Sequence, residues 1–256
     1  VNSTTTTFTV TVTAVNDAPV IDAVSNPSAI LEDAGEQTIS LSGIGDGDAE
    51  ATATQTITVT AASNNTSLIP NLTVTYTSNN VTGSLAYTPV AHANGTADIT
   101  VTVSDDGGTD NSGVNSTTTT FTVTVTAVND AVTLTSSIDD YTVLEDALVS
   151  TVADLDNIFD DIDLTNGALS SLQTLNYSVV ENTNSGLATP SIDGGGVLTV
   201  IYIPHGNGSA EITVRADDGN GSTLDESFTI TVTAVNDAVT LTSSIDDYTV
   251  LEDALV

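Results

Sequence analysis

Hydrophobic and polar positions alternate with a period of two in Phe8-Thr9-Val10-Thr11-Val12-Thr13-Ala14. In an extended chain successive side chains point to opposite faces. Phe8, Val10, Val12 and Ala14 therefore share one face, and Thr9, Thr11 and Thr13 the other. The pattern predicts a strand with one side on a core and a Thr side toward water. Thr is β-branched, so even the polar face favours extended backbone. The pattern returns at Phe121/Val123/Val125/Ala127 and at Phe228/Ile230/Val232/Ala234. Between these copies, alternation predicts strands over 38–41, 56–61, 72–77, 84–88 and 97–103, then over 141–144, 147–152, 174–180, 197–203 and 210–216. Turn residues rich in Asn, Asp and Gly at 43–47, 64–65, 79–80, 193–196 and 207–208 separate them. No stretch has a helical period. About seven short strands in roughly 110 residues predict an all-β fold, a two-sheet Greek-key sandwich.

The chain also repeats itself. Val1–Ala18 reads VNSTTTTFTVTVTAVNDA, and Val114–Ala131 is the same string. Ala127–Val149 returns unchanged as Ala234–Val256. Phe8, Phe121 and Phe228 stand 113 and then 107 residues apart, a domain-sized period long enough for each repeat to bury its own core. The expected organisation is a stretch of a longer tandem array of sandwiches joined end to end. Residues 1–17 would be the last strand of a preceding repeat, 18–130 and 131–237 two full repeats, and 238–256 the first strand or strands of a following one. No hydrophobic run is long enough to span a membrane, and no signal peptide is evident.

Charge narrows the function. Thirty-four acidic residues face a single basic one, Arg215, for a net charge of −33. Nucleic acid and anionic membrane surfaces, which are held by Lys and Arg, are excluded as partners. With 39% hydrophobic residues in strand-like alternation the chain is expected to fold, so its carboxylates need divalent cations or a saline medium to screen them. Cys is absent, which rules out disulfides, and Lys is absent, which rules out a Lys–Asn isopeptide bond. Paired Asp residues could suggest glycoside hydrolysis. Trp is absent, however, aromatics make up only 4%, and the pairs recur once per repeat as structural features do. No serine-nucleophile motif or phosphate loop is present. The expectation is a protein that is not an enzyme. His92 and His205 could ligate a transition metal, but they fall at equivalent turns one domain apart, too far to share a site, and are read as turn-packing residues.

Several motifs taken together carry a resemblance: VNDAPVI at 15–21, LEDA at 31–34 and 144–147, LAYTPVAHANGTADITVTVSDDGG at 85–108, IFDDID at 158–163 before LNYSVV at 175–180, and VLTVIYIPHGNGSAEITVRADDGNG at 197–221. Over essentially its whole length the chain resembles the bacterial cadherin-like, Ig-like tandem repeats of giant surface adhesins and extracellular fibres. The resemblance implies export to the cell surface, a structural role in cell adhesion as a stalk or fibre spacer, and calcium at the junctions between repeats. The calcium linker of animal cadherins resembles Asp-x-Asn-Asp. Here the run is Ala127-Val128-Asn129-Asp130, with Ala also at 14 and 234, so one expected ligand is missing and one or two ions per junction are implied.

Calcium takes six to eight oxygen ligands, and the acidic turns offer them, although no turn meets the EF-hand pattern. Candidate ligands at the central junction are Glu32, Asn129, Asp130, Asp160, Asp163 and Asp218. At the first junction they are Asn16, Asp17, Asp46, Asp48 and Asp106, and at the last Glu145, Asn236 and Asp237. The same residues can also be read as solvated turns that guard sheet edges. The partners expected are further repeats of the same chain and neighbouring copies in a filament. Two other functions stay open: a self-assembling extracellular filament subunit, and an adhesin domain that binds a glycan or other ligand.

Overall fold

The computed structural model describes residues 2–47, 55–165 and 173–252. By packing, the chain divides into two compact units. The first comprises Val1–Val132 with Asp161–Leu175 and Asp218–Ser222; the second comprises Thr133–Asp160, Asn176–Asp217 and Thr223–Val256.

The first unit is built from β1 (Ile30–Leu31), β2 (Gln37–Ser42), β3 (Thr58–Ser63), β4 (Leu72–Thr75), β5 (Thr82–Tyr87), β6 (Gly95–Ser104) and β7 (Ser116–Thr126). One sheet has the order β1-β7-β6-β3 and the other β2-β5-β4, so the chain crosses between sheets after β1, β2, β3 and β5. All pairings are antiparallel except β1 with β7, which is parallel. Alternation explains the core. On β7, Phe121, Val123 and Val125 are buried, and in register across from them Ile99 and Ala97 of β6 are buried too. Leu41 of β2 and Leu85 and Tyr87 of β5 close the core from the second sheet. Each fully buried large apolar side chain contributes roughly 1.5–3 kcal/mol. Thr126 is exposed, while Thr122 and Thr124 are only half-buried, as is Ala127 where the strand leaves the core.

The second unit repeats this plan. It contains β8 (Thr133–Leu134), β9 (Tyr141–Leu144), β10 (Val149–Asp154), β11 (Phe159–Asp160), β12 (Asn176–Asn182), β13 (Ala188–Ile192), β14 (Val197–Tyr202), β15 (Gly208–Asp217) and β16 (Thr223–Thr233). Its sheets are β12-β15-β16-β9 and β10-β14-β13, and β9 runs parallel to β16 as β1 does to β7. The short β8–β11 ladder is matched in the first unit by an isolated bridge between Val20 and Gly45. Phe228, Ile230, Val232, Leu198 and Val200 form the core. Arg215 of β15 faces Asp225 of β16 and donates to both carboxylate oxygens, at 2.6 and 2.8 Å.

The described strands bear out the alternation except in three places. β13 was not expected, because Pro190 interrupts its pattern; Pro is tolerated there because β13 is a sheet edge. The two-residue pieces β1, β8 and β11 are too short to show a period. The third departure is a correction. Residues 2–14 form no strand, and Phe8 is 90% exposed where its identical counterpart Phe121 is 1% exposed. Likewise Tyr248 is exposed and outside any strand, whereas Tyr141 in the same string lies in β9. Alternation makes a segment fit for a strand. It becomes one only where a neighbour supplies ladder bonds and a core, as β6 does for β7.

Candidate metal centre

The centre is assembled from three short motifs, all within the first unit. Leu31-Glu32-Asp33-Ala34 follows β1. The Glu32 N–H donates to Thr126 O on β7, and the Ala34 N–H closes a turn onto Leu31 O around a left-handed Asp33 (φ 62°). This turn folds the Glu32 side chain inward, where it is 4% exposed. Its Oε1 accepts from the Val128 N–H (2.6 Å) and its Oε2 from the Asn94 amide (3.2 Å). Asp33 Oδ1 accepts from the His92 N–H (2.8 Å). His92 Nδ1 then lies 2.8 Å from Asp130 Oδ2 and 3.4 Å from Asp33 Oδ2. The hydrogen bond to Asp130, helped by the negative charge of Asp130, Asp33 and Glu32, raises the His92 pKa against the opposing effect of burial.

Asn129 and Asp130 complete the cluster. Asp161 caps the single 3₁₀ turn Ile162–Leu164 by accepting from the Asp163 N–H (3.0 Å). Asp163 in turn accepts from the Asp130 N–H (2.6 Å). Both carboxylates are buried, and burial chiefly raises their pKa values, reinforced by neighbouring carboxylates. The Asn129 amide donates to Asp218 Oδ2 (2.8 Å), and Gln173 donates to Asn129 Oδ1 (2.6 Å). Asp218 Oδ1 also accepts from the N–H groups of Asn220 (2.7 Å) and Ser222 (3.0 Å). Burial works to raise the pKa of Asp218, but these donors together outweigh it and hold it below the ordinary Asp value.

Glu32, Asp130 and Asp163 each bring an oxygen within 4.8 Å of the others. At that spacing two like charges repel by about 3 kcal/mol in an effective dielectric of ~20. No Lys exists to offset them, and the one Arg belongs to the second unit. Gln173 Oε1 is buried beside this group with no hydrogen-bond partner among the described residues. Clustered carboxylates and a buried amide oxygen form an all-oxygen donor set that suits calcium.

The structure thus brings together five of the six central candidates: Glu32, Asn129, Asp130, Asp163 and Asp218. Asp160 belongs to the second unit, in β11, where its carbonyl accepts from the Thr133 hydroxyl (3.1 Å). Its neighbour Asp161 is the buried one. The Asn129 amide is taken up at both ends, its oxygen by Gln173 and its nitrogen by Asp218.

The same bracket recurs at Asn16. Its amide nitrogen donates to Asp105 (3.0 Å) and to the carbonyls of Val114 (2.7 Å) and Gly108 (3.2 Å), and its oxygen accepts from Gln55 (2.8 Å). A side chain on Gly107 would strike the Asn16 amide and push it out of its bracket. Of the other first-junction candidates, Asp17 is exposed and Asp46 half-buried, while Asp106 accepts from the Thr56 N–H (2.8 Å). None of them joins a group of three metal-ligating side chains among the described residues. Asp48 lies outside the described residues. At the last junction, buried Glu145 accepts from the Val235 N–H (2.5 Å) and from Asn207 (3.3 Å). Asp237 lies against His205, and the Asn236 amide donates to Asp237 O (3.2 Å). The sequence reading missed Gln55 and Gln173. The available signal was the triplet Gln-Thr-Ile at 55–57 and Gln-Thr-Leu at 173–175, although Gln-Thr-Ile also stands at 37–39.

Among solved structures, the extracellular cadherin domains 1–5 of protocadherin gamma B2 match with a TM-score of 0.52 and 18% identity, over 87% of this chain and 41% of that one. Protocadherin gamma C5 EC1-3 matches with a TM-score of 0.50 and 19% identity, over 84% and 68%. The chain spans about half or less of the longer protocadherin fragments it matches. At these identities the likeness is one of fold, and the fold is a cadherin-like β-sandwich. No protein-family model matches the sequence, and no curated protein matches it.

Proposed function

We propose that the chain is a structural spacer from an extracellular fibre or giant bacterial surface adhesin, not an enzyme, and that calcium stiffens the passage from one repeat to the next. The observation that carries this reading is the carboxylate group Glu32–Asp130–Asp163, closely spaced and with no Lys or Arg in its unit to offset it. Glu32, Asp130 and Asp163 would hold the ion, with Asp161 and Asp218 beside them. An ion bound there supplies positive charge that turns mutual repulsion into shared coordination. The domain division at 18–130 and 131–237 belongs to the same proposal, with the AVND run as the joint. The spacer reading is favoured over a receptor domain because the two units repeat the same strand plan and the same Glu-Asp and histidine turns, as a modular stalk does.

A calcium titration of the whole chain tests this. Millimolar calcium should raise the melting temperature of the first unit and narrow the distance distribution in small-angle scattering, while circular dichroism stays β-like. Asp130→Ala should remove both responses without unfolding either unit. If calcium moves neither observable, the acidic groups are solvated turns and the reading fails.

A further inference from the structure

The chain has two histidines, and each lies in the same surroundings in its own unit. We infer that His92 with Asp33 and Asp130, and His205 with Asp146 and Asp237, form a second kind of metal site, which takes a late first-row divalent ion of the zinc type rather than calcium. In the first unit Nδ1 stands 2.8 Å from Asp130 Oδ2 and 3.4 Å from Asp33 Oδ2. In the second it stands 3.1 Å from Asp237 Oδ2 and 3.4 Å from Asp146 Oδ1. In each group the three ligand atoms lie within 4.8 Å of one another. The flanking sequence differs, Ala91-His92-Ala93 against Pro204-His205-Gly206; the grouping of one ring with two carboxylates is kept, with the single oxygen Asp146 Oδ1 doing in the second unit what the two oxygens of Asp33 do in the first.

A ring N–H can donate to one acceptor in line. Here two carboxylates converge on the same nitrogen, so a ring proton serves only one of them and leaves Asp33 or Asp146 to the histidine's backbone N–H. A metal ion serves all three ligand atoms. Ligands about 2.0–2.1 Å from a tetrahedral zinc stand roughly 3.4 Å from each other, which is the wider of the two separations in both units. Nitrogen also decides the class of ion. Calcium takes oxygen ligands, whereas imidazole with carboxylates suits zinc, copper and nickel. The rings are 42% and 70% exposed, which leaves room for water to complete the coordination.

The rings are held as ligands are held. The His92 N–H donates to Asp33 Oδ1 (2.8 Å) and the His205 N–H to Asp146 Oδ1 (3.0 Å), so one carboxylate both fixes the turn and faces the ring. Both histidines are left-handed, at φ 55° and 57°. A turn that needed only this backbone would be served best by glycine, yet both units place an imidazole there.

The inference does not depend on the calcium reading. Asp33, Asp146 and His205 are outside the calcium candidates; Asp130 is shared at the central junction and Asp237 at the last. The test is a zinc titration of the full chain in excess calcium, read from the ring protons of the two histidines by NMR. Both sets should move and saturate at two zinc ions per chain. Asp33→Asn and Asp146→Asn keep a residue that tolerates the left-handed turn and keep the acceptor for the histidine N–H. Each should weaken zinc at its own histidine at least tenfold and leave the other unchanged. The inference is overturned if the ring signals stay still. It is equally overturned if they move with the same midpoint in the Asn variants, which would mean adventitious imidazole binding only, or if calcium alone moves them as strongly. The calcium-dependent melting shift, measured in Asp146→Asn, reports separately on the calcium reading.

Discussion

At the scale of single residues, Asn129 decides what the centre can tolerate. Its nitrogen meets Asp218 and its oxygen meets Gln173, so the two ends of the amide are not interchangeable. Asn129→Asp keeps the shape but turns a donor into an anion 2.8 Å from Asp218. It should cost about 2–3 kcal/mol in urea unfolding without calcium. If calcium binds this cluster, millimolar calcium should recover most of that loss, because the new charge becomes a further ligand. Asn129→Leu should cost a similar amount and not be recovered. Equal recovery of both variants would count against the bracket as drawn. The acids and the asparagine were legible in the sequence because they recur at the repeat period. Gln173 and Asp161 were not. One Gln in a triplet, or one of two adjacent Asp residues, becomes distinctive only when folding buries it.

At the scale of elements, the chain carries its own control. Val12 and Val125 sit at the same place in identical strings, yet Val12 is 89% exposed and Val125 2%. Val125→Asp buries an unpaired charge in the core of the first unit and should destabilise it by about 3–5 kcal/mol. Val12→Asp should fall within about 0.5 kcal/mol of the parent. Chemical denaturation of the two variants checks both at once, and similar losses would mean that residues 2–14 are packed after all. Strand existence was readable from alternation, and the edges of β2, β5, β6 and β9 lay within two residues of expectation. Pairing was not readable. Nothing in the string VNSTTTTFTVTVTAVNDA says whether β6 lies beside it.

At the scale of the whole molecule, the excess of acid shapes the response to pH. Burial raises the pKa values of Asp161 and Asp163 in the folded chain. The folded state therefore holds protons that the unfolded state has released, between the ordinary Asp range near 4 and the raised values. In that window stability rises as pH falls. Below the ordinary range the trend reverses, because Asp218 and Asp225, held below the usual value, must then take up protons. Without divalent cations, the melting temperature should increase as pH falls from neutrality toward the ordinary Asp range and drop at more acid pH. A monotonic fall from neutrality would contradict the assigned shifts.

The Arg215–Asp225 pair in the second unit has a practical consequence. Trypsin cuts after Lys or Arg, and this chain offers it one peptide bond, Arg215–Ala216. That bond lies inside β15, with the guanidinium gripped by Asp225 at 2.6 and 2.8 Å and both flanking strands in place. Cleavage requires the strand to leave its ladder. The rate of digestion is therefore a built-in gauge of how often the second sandwich opens. One clip would yield one fragment of 215 residues and one of 41, and any stabiliser of that sandwich could be ranked by a gel alone.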